Sequence, residues 1–194
     1  MLYFTSDTHF GHHNIIGFSK RPYANKEEMD EALIRNWNAV VEPDDIIYHL
    51  GDFAFGRGLE ILPMLNGEKH LIKGNHDKGG ILKHPEWASV EDYAELPAYE
   101  GLHPKLILYH YPIQDWNHRF RGSLHLHGHV HGTLPLSTQR MDVGVDVWGY
   151  KPVSIVEIMQ IRALLPMYYS GLTEAARGPN KAPAAPTESV DLLH

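Results

Sequence analysis

Five short clusters of carboxylate, amide and imidazole residues, each closing an apolar segment, constrain this chain more than any other feature. They are Asp7-Thr8-His9, Gly51-Asp52, Gly74-Asn75-His76-Asp77, His110 and Gly128-His129-Val130-His131. Long stretches of sequence separate them, so no helical or strand period can bring them to one face. Only a fold that collects loops at a single place can do so. Oxygen and imidazole donors in this number and order are enough to build a hydrolytic site around two metal ions.

The segments between the clusters say which fold that is. Residues 2–6 read as a short buried strand ending on Asp7, and 45–50 as a second ending on Gly51-Asp52. Between them lies a helix. Asn25 caps it, Glu28 completes a capping box, and Met29, Leu33, Trp37 and Val40 share one face until Pro43 stops it. Strand, helix, strand in this order predicts a parallel pair with a right-handed crossover. A further helix is expected over 59–65, then a turn at Asn66-Gly67 and a strand over 70–73 that leads into Gly74-Asn75-His76-Asp77. Residues 106–109 run into His110, and 123–126 into Gly128-His129-Val130-His131. The segments 141–147 and 153–159 continue the strand-rich reading and are expected to close a second sheet, with a helix from Ile155 to Leu165 as the alternative. In open α/β sheets ligands bind beyond the carboxyl ends of the strands, which is where all five clusters fall.

Composition narrows the class. The chain has 194 residues, enough for one substantial core, placed over residues 1–170. From about residue 171 it turns to Ala, Pro, Gly, Asn, Thr and Ser without periodicity, which predicts a flexible tail over 171–194. Basic residues number 17 against 24 acidic, so a whole-surface grip on nucleic acid or an anionic membrane is not expected. With no cysteine there is neither disulfide nor thiolate chemistry, which fits a reducing compartment. No basic leader precedes Leu2-Tyr3-Phe4, and no apolar run approaches the ~20 residues of a membrane span, so a soluble cytoplasmic protein is expected. Fifteen histidines cluster at 9–13, 103–118 and 125–131, and imidazole is the commonest metal ligand.

In this order the five clusters resemble the motifs of the calcineurin-like metallophosphoesterase superfamily, in particular its small single-domain bacterial and phage members, over residues 1–160 or so. The resemblance implies an α/β fold of two packed mixed β-sheets flanked by helices. It implies that Asp7, His9, Asp52 and His131 hold one divalent ion, and that Asp52, Asn75, His110 and His129 hold a second. A shared carboxylate has a physical reason, because two divalent ions ~3.5 to 4 Å apart repel each other and a bridging anion with a bridging hydroxide screens that repulsion. The implied reaction is direct attack of that hydroxide on a phosphate ester. Asp52 and His76 are then the catalytic residues, with His76 protonating the leaving oxygen or stabilising the transition state. Mixed nitrogen and oxygen donors suit Mn, Fe, Zn, Ni or Co, and the family analogy favours Mn. Gly51, Gly74 and Gly128 sit where each strand is expected to turn sharply and aim the next side chain at the ions.

Candidate substrate contacts are Asn75, His13 and Arg21, the last placed by Lys20-Arg21-Pro22 to reach a phosphate. His12 reads as a loop histidine. His49 and His70 read as structural, and His125 and His127, two residues apart on a strand, as packing behind the ligands. Asp146 and Trp148 belong either behind the site or on the surface. The segment from Trp116 to Arg121 combines aromatics with two arginines, which suits a base and a phosphate, or else it is a polar connecting loop. Together these readings favour a small nucleotide-like phosphodiester as substrate. A nuclease is the alternative, disfavoured by the absence of a basic stripe. A non-catalytic metal-binding scaffold for protein contacts is the second alternative, and the intact ligands and His76 argue against it.

Overall fold

The computed structural model describes residues 1–165, so the segment read as a flexible tail lies outside the described residues. The elements run β1 (Leu2–Thr5), α1 (His13–Phe18), α2 (Lys26–Asn38), β2 (Ile46–His49), α3 (Gly58–Ile61), β3 (Glu68–Ile72), β4 (Trp87–Glu91), β5 (Ala94–Leu96), β6 (Leu106–Leu108), β7 (Leu124–His127), β8 (Arg140–Asp142), β9 (Val153–Ser154) and α4 (Ile155–Leu164). Two mixed sheets result. The first has the order β4-β3-β2-β1-β9, the second β5-β6-β7-β8. In the first, β1 to β4 are parallel and β9 runs antiparallel to β1; in the second, β6, β7 and β8 are parallel and β5 is antiparallel.

Two apolar layers hold these sheets. Met29, Leu33 and Trp37 are buried along one face of α2 and pack against Ile47, Leu71, Phe10 and Phe53 on one side of the first sheet. The other side of that sheet contributes Phe4, Leu50 and Ile72 to a second layer with Leu106, Leu108, Leu124, Leu126 and Met141 from the second sheet. A parallel sheet covered on both faces needs strands that are apolar on both sides, which is why these strands read as short apolar runs. Asn25 caps α2 as expected, with its Oδ1 accepting from the Glu28 N–H at 2.8 Å. The reciprocal bond is shifted by one residue, because the Glu28 carboxylate accepts from the Ala24 N–H.

The C-terminal part differs from the sequence reading. Residues 140–142 do form an edge strand of the second sheet, but Val153–Ser154 joins the first sheet beside β1. The helical alternative then takes over at once. Ser154 accepts from the Glu157 N–H while the Glu157 carboxylate accepts from the Ser154 N–H, a complete capping box that ends the strand after two residues. The expected helix over 59–65 is a single α-turn followed by a tighter turn, with Pro63 inside it. β4 and β5 have no counterpart in the sequence reading.

Candidate metal centre

Beyond the ends of β1 and β2 the backbone pairing continues in irregular form. Asp7, His9 and Phe10 donate N–H to the carbonyls of Gly51, Asp52 and Phe53 at 2.9, 3.1 and 2.9 Å. Asp7, His9, Asp52, His129 and His131 all have left-handed backbones, with φ of 55, 52, 58, 70 and 47°. Residues with a Cβ avoid that region, and strain of this kind persists where the surroundings over-determine it, typically at functional sites.

That backbone path brings the predicted ligands together in two groups. Asp7, His9 and His131 offer ligand atoms within 4.8 Å of one another, and so do Asp52, His110 and His129. Asp52 lies between the groups. Its Oδ2 is 3.8 Å from Nε2 of His9, 3.6 Å from Nε2 of His110 and 3.9 Å from Nε2 of His76. These separations are too long for hydrogen bonds and suit donors arranged around a common cation. Asn75 Oδ1 sits 3.1 Å from His110 Nε2, beside the second group.

The donor atoms fit a divalent cation on a further test. Asp7 Oδ1 and both ring nitrogens of His9 are buried and have no hydrogen-bond partner. Buried polar atoms are seldom left so, and each instance needs a reason. The electrostatics agree. Burial pushes the Asp7 carboxyl up to about 8, with the nearby charges of Asp142 and Asp52 adding to it against the lowering influence of His131 and Ser6. Burial likewise drives His9 far below the usual imidazole range. A buried acid that resists ionising and a neutral imidazole facing it are stabilised as anion and ligand by a cation between them.

Behind the donors sits a layer of acids and carbonyls that fixes their orientation. The Asp77 carboxylate accepts from the N–H groups of Asp52, Phe53 and Gly74, pinning the loops after β2 and β3 to each other. Asp142 does the same for Gly132 and Gly144. His110 uses Nδ1 on the Leu50 carbonyl at 2.7 Å, so Nε2 faces the site. His131 uses Nδ1 on Asp146 at 2.7 Å with the same result. The sequence reading assigns no role to Asp142, and the available signal was a third strand ending on a carboxylate, Met141-Asp142 before Val143-Gly144.

Other expectations divide. Of the three glycines, only Gly51 turns the chain with a positive φ, 95°. Gly74 and Gly128 serve close approach instead: a Cβ on Gly74 would run into Asp52, and one on Gly128 into Ser6 and Asp7. Arg21 does not face a substrate. It is buried, and its five N–H donors are taken by Asp146, the carbonyls of Asp7 and Thr8, and Met29 Sδ. His13 is exposed at the start of α1, lining a surface hollow with Asn14, Ile16 and Phe18. The neighbouring His12 is the one that comes to the site, stacked on Phe55 with ring centroids 4.0 Å apart and 5.5 Å from the His9 ring. His76 lies across from them, 43% exposed, with its ring 4.9 Å from Phe55.

The structural histidines are where they were expected. His49 Nδ1 accepts from the Gly51 N–H and its Nε2 meets Thr8 Oγ1, which donates to the Phe53 carbonyl. His70 stacks on Tyr48 at 4.6 Å. His125 and His127 are buried side by side on β7: His125 Nδ1 meets the Ile107 carbonyl while its Nε2 accepts from the Ile113 N–H, and His127 Nδ1 meets the Gly128 carbonyl.

A family model for calcineurin-like phosphoesterases matches residues 2–164. The chain belongs to the calcineurin-like phosphoesterase family. This phosphoesterase is 37% identical over 172 residues to an uncharacterized protein of Methanocaldococcus jannaschii, a match covering 82% of this chain and 90% of the relative. It is 29% identical over 181 residues to the gene 66 protein of Mycobacterium phage L5, covering 76% and 87% of the two chains. Among solved structures, a protein of unknown function from Aquifex aeolicus superposes with a TM-score of 0.66 at 30% identity, covering 83% of this chain and 98% of that one. The phosphoesterase therefore has the two-sheet α/β fold that its motifs imply, and candidate ligands for the metal its family depends on. No helix among its described residues is long and apolar enough to cross a membrane.

Proposed function

We propose that this phosphoesterase hydrolyses a small, soluble, nucleotide-like phosphodiester in the cytoplasm, using two divalent ions of which Mn is the favoured pair. The observation that carries this reading is the pair of ligand groups joined through Asp52 Oδ2, which has an imidazole of each group within 3.8 Å. Asp7, His9, Asp52 and His131 would hold one ion, and Asp52, Asn75, His110 and His129 the other. When bound, two such ions act as Lewis acids that lower the pKa of a water and neutralise the phosphate oxygens.

The protein's own groups do the rest. Asp52 keeps Oδ2 free for the cations because Oδ1 is occupied by the His76 N–H at 2.8 Å, and that same bond fixes the backbone from which the His76 ring projects. The exposed His76 imidazole is the proton donor for the leaving oxygen, the role its position at the open side of the site allows. Asn75, exposed beside it, offers an amide to a phosphate oxygen. Phe55 and His12 form an aromatic wall next to His76.

A cavity of about 290 Å³ lies in the loops that leave His110 and His131, and although no candidate ligand lines it, it is where the base of a nucleotide-like substrate would be held. Trp116 gives it an aromatic face, and Arg119 and Arg140 give it positive charge. Of the two arginines read in this segment, Arg119 lines the cavity, while Arg121 is exposed on the turn and does not. The test is a panel of phosphomonoesters, linear and cyclic phosphodiesters, nucleotides and oligonucleotides assayed with Mn, alongside elemental analysis. A preference for one small diester with two ions per chain is expected. Preference for oligonucleotides would establish the nuclease reading instead, and absence of turnover with both ions bound would establish the scaffold reading.

A further inference from the structure

Every N–H donor of the Arg21 guanidinium is engaged, and the residue sits beside the first ligand group without belonging to it. Its Nε and Nη2 form a two-point fork with Asp146, both at 2.8 Å. The same Nη2 donates to the Asp7 carbonyl at 2.6 Å, and Nη1 donates to the Thr8 carbonyl at 2.9 Å. Asp146 Oδ2 also receives Nδ1 of His131 at 2.7 Å, and Ser19 Oγ lies 3.3 Å from that nitrogen. One guanidinium thus reaches two candidate ligands: Asp7 through its backbone and His131 through Asp146.

The mechanical consequence follows from conformation. Asp7 and His9 flank Thr8 with φ of 55 and 52°, so this stretch of chain is held in a path it would not choose alone. Hydrogen bonds to the carbonyls of Asp7 and Thr8 restrain that path where it departs from β1. On the far side, a carboxylate on Nδ1 fixes both the tautomer and the ring plane of an imidazole, leaving the Nε2 lone pair for a metal. His131 Nε2 accordingly faces Asp7 Oδ1 at 3.9 Å. Only a planar group with five donors can serve the carboxylate fork and two carbonyls at once, and lysine cannot.

We propose that Arg21 and Asp146 are positioning residues that pre-set the Asp7, His9 and His131 group for its ion, acting as one unit. This rests on the reading that the group holds a divalent cation. Asp146 fixes His131, and Arg21 fixes both Asp146 and the Asp7-Thr8 backbone. Neither touches the substrate.

The test is calorimetric titration of the metal-free protein with Mn, on wild type, Asp146→Ala, Asp146→Asn, Arg21→Lys and the Arg21→Lys/Asp146→Ala double variant. Asp146→Ala should weaken one of the two binding events by roughly 10- to 100-fold, the usual cost of losing an outer partner of a metal-bound histidine, and leave the other within about twofold. Arg21→Lys should weaken the same event. The double variant should lose no more than the worse single change, because the two residues act through each other. Asp146→Asn, close in shape, keeps the test open if the alanine variant fails to fold, and should show an intermediate loss. Nitrogen NMR of labelled histidine in metal-free protein at alkaline pH gives a readout independent of metal: His131 should carry its proton on Nδ1 in wild type and a tautomer mixture in the Asp146 variants. Unchanged affinities in the single variants, additive losses in the double variant, or an unchanged tautomer would each overturn the proposal. Failure of wild type to bind Mn would instead count against the metal reading, and the tautomer result would still decide the positioning role.

Discussion

At the scale of single residues, Asp52 and His76 separate ligation from proton transfer. Asp52 is buried with one oxygen bonded to the His76 N–H and the other facing imidazoles of both groups. Asp52→Asn should therefore reduce metal content at both positions, whereas His110→Ala should empty mainly one. Elemental analysis showing full occupancy in Asp52→Asn would refute the bridge. His76 projects into the open side of the site and makes no side-chain hydrogen bond among the described residues, so its removal should leave the metals in place. As a leaving-group acid it should matter more the poorer the leaving group. His76→Ala should slow an alkyl phosphoester by roughly 10² to 10⁴ and a nitrophenyl ester far less, since nitrophenolate departs without a proton. Equal losses on both esters would reassign His76 to charge stabilisation. Both positions stood out as candidates from their motifs, and the structure brings them together. Arg21 was singled out for the wrong reason: a sequence shows that a cation lies near a motif, but not whether it points outward to a phosphate or inward to Asp146.

At the scale of elements, the site is made by what happens just after each strand. β1, β2, β3, β6 and β7 were recognisable because each is a short apolar run ending at a polar cluster, and a strand buried on both faces has no other pattern to show. β4 and β5 were not, since Trp87–Glu91 and Ala94–Leu96 alternate weakly and lie near the sheet edges. The strand read over 153–159 is cut to the two residues of β9 by the capping box at Ser154, and it pairs with β1 rather than closing the second sheet. That box is testable: Ser154→Ala removes the oxygen that accepts the Glu157 N–H and should cost about 1 kcal/mol. Thermal or urea unfolding would measure it, and a variant as stable as wild type would show that β9 and the packing of Ile155 and Ile158 hold α4 without the cap.

For the whole molecule, the three buried imidazoles outside the candidate ligand set among the described residues give an acid-sensitive fold. Burial is the main cause in each case, holding His49 and His125 down to about 3 and His127 to about 4, with His110 adding to the effect on His49 and His127 to that on His125. Their folded values lie below the unfolded 6.5, so this stability is present above pH 6.5 and is lost as pH falls from there toward 3 to 4. Going from pH 6.5 to pH 5 costs up to about 2 kcal/mol per group. Urea unfolding across that range should show the decline, and His125→Gln should flatten it by up to one proton; an unchanged slope would mean that His125 is protonated in the folded protein. By itself the sequence determined the candidate ligand residues, most of the strand and helix order that carries them, and the family, because metal chemistry and α/β periodicity each leave a residue-type signature along the chain. Tertiary structure alone decided the orientations. It decided that Gly74 and Gly128 make room for neighbouring carboxylates, that Asp77, Asp142 and Asp146 brace the donors, and that His12 rather than His13 reaches the site. Those outcomes depend on side-chain direction and on contacts between residues as far as 125 positions apart, such as Arg21 with Asp146. Residue types carry no record of direction, and local spacing carries none of such contacts.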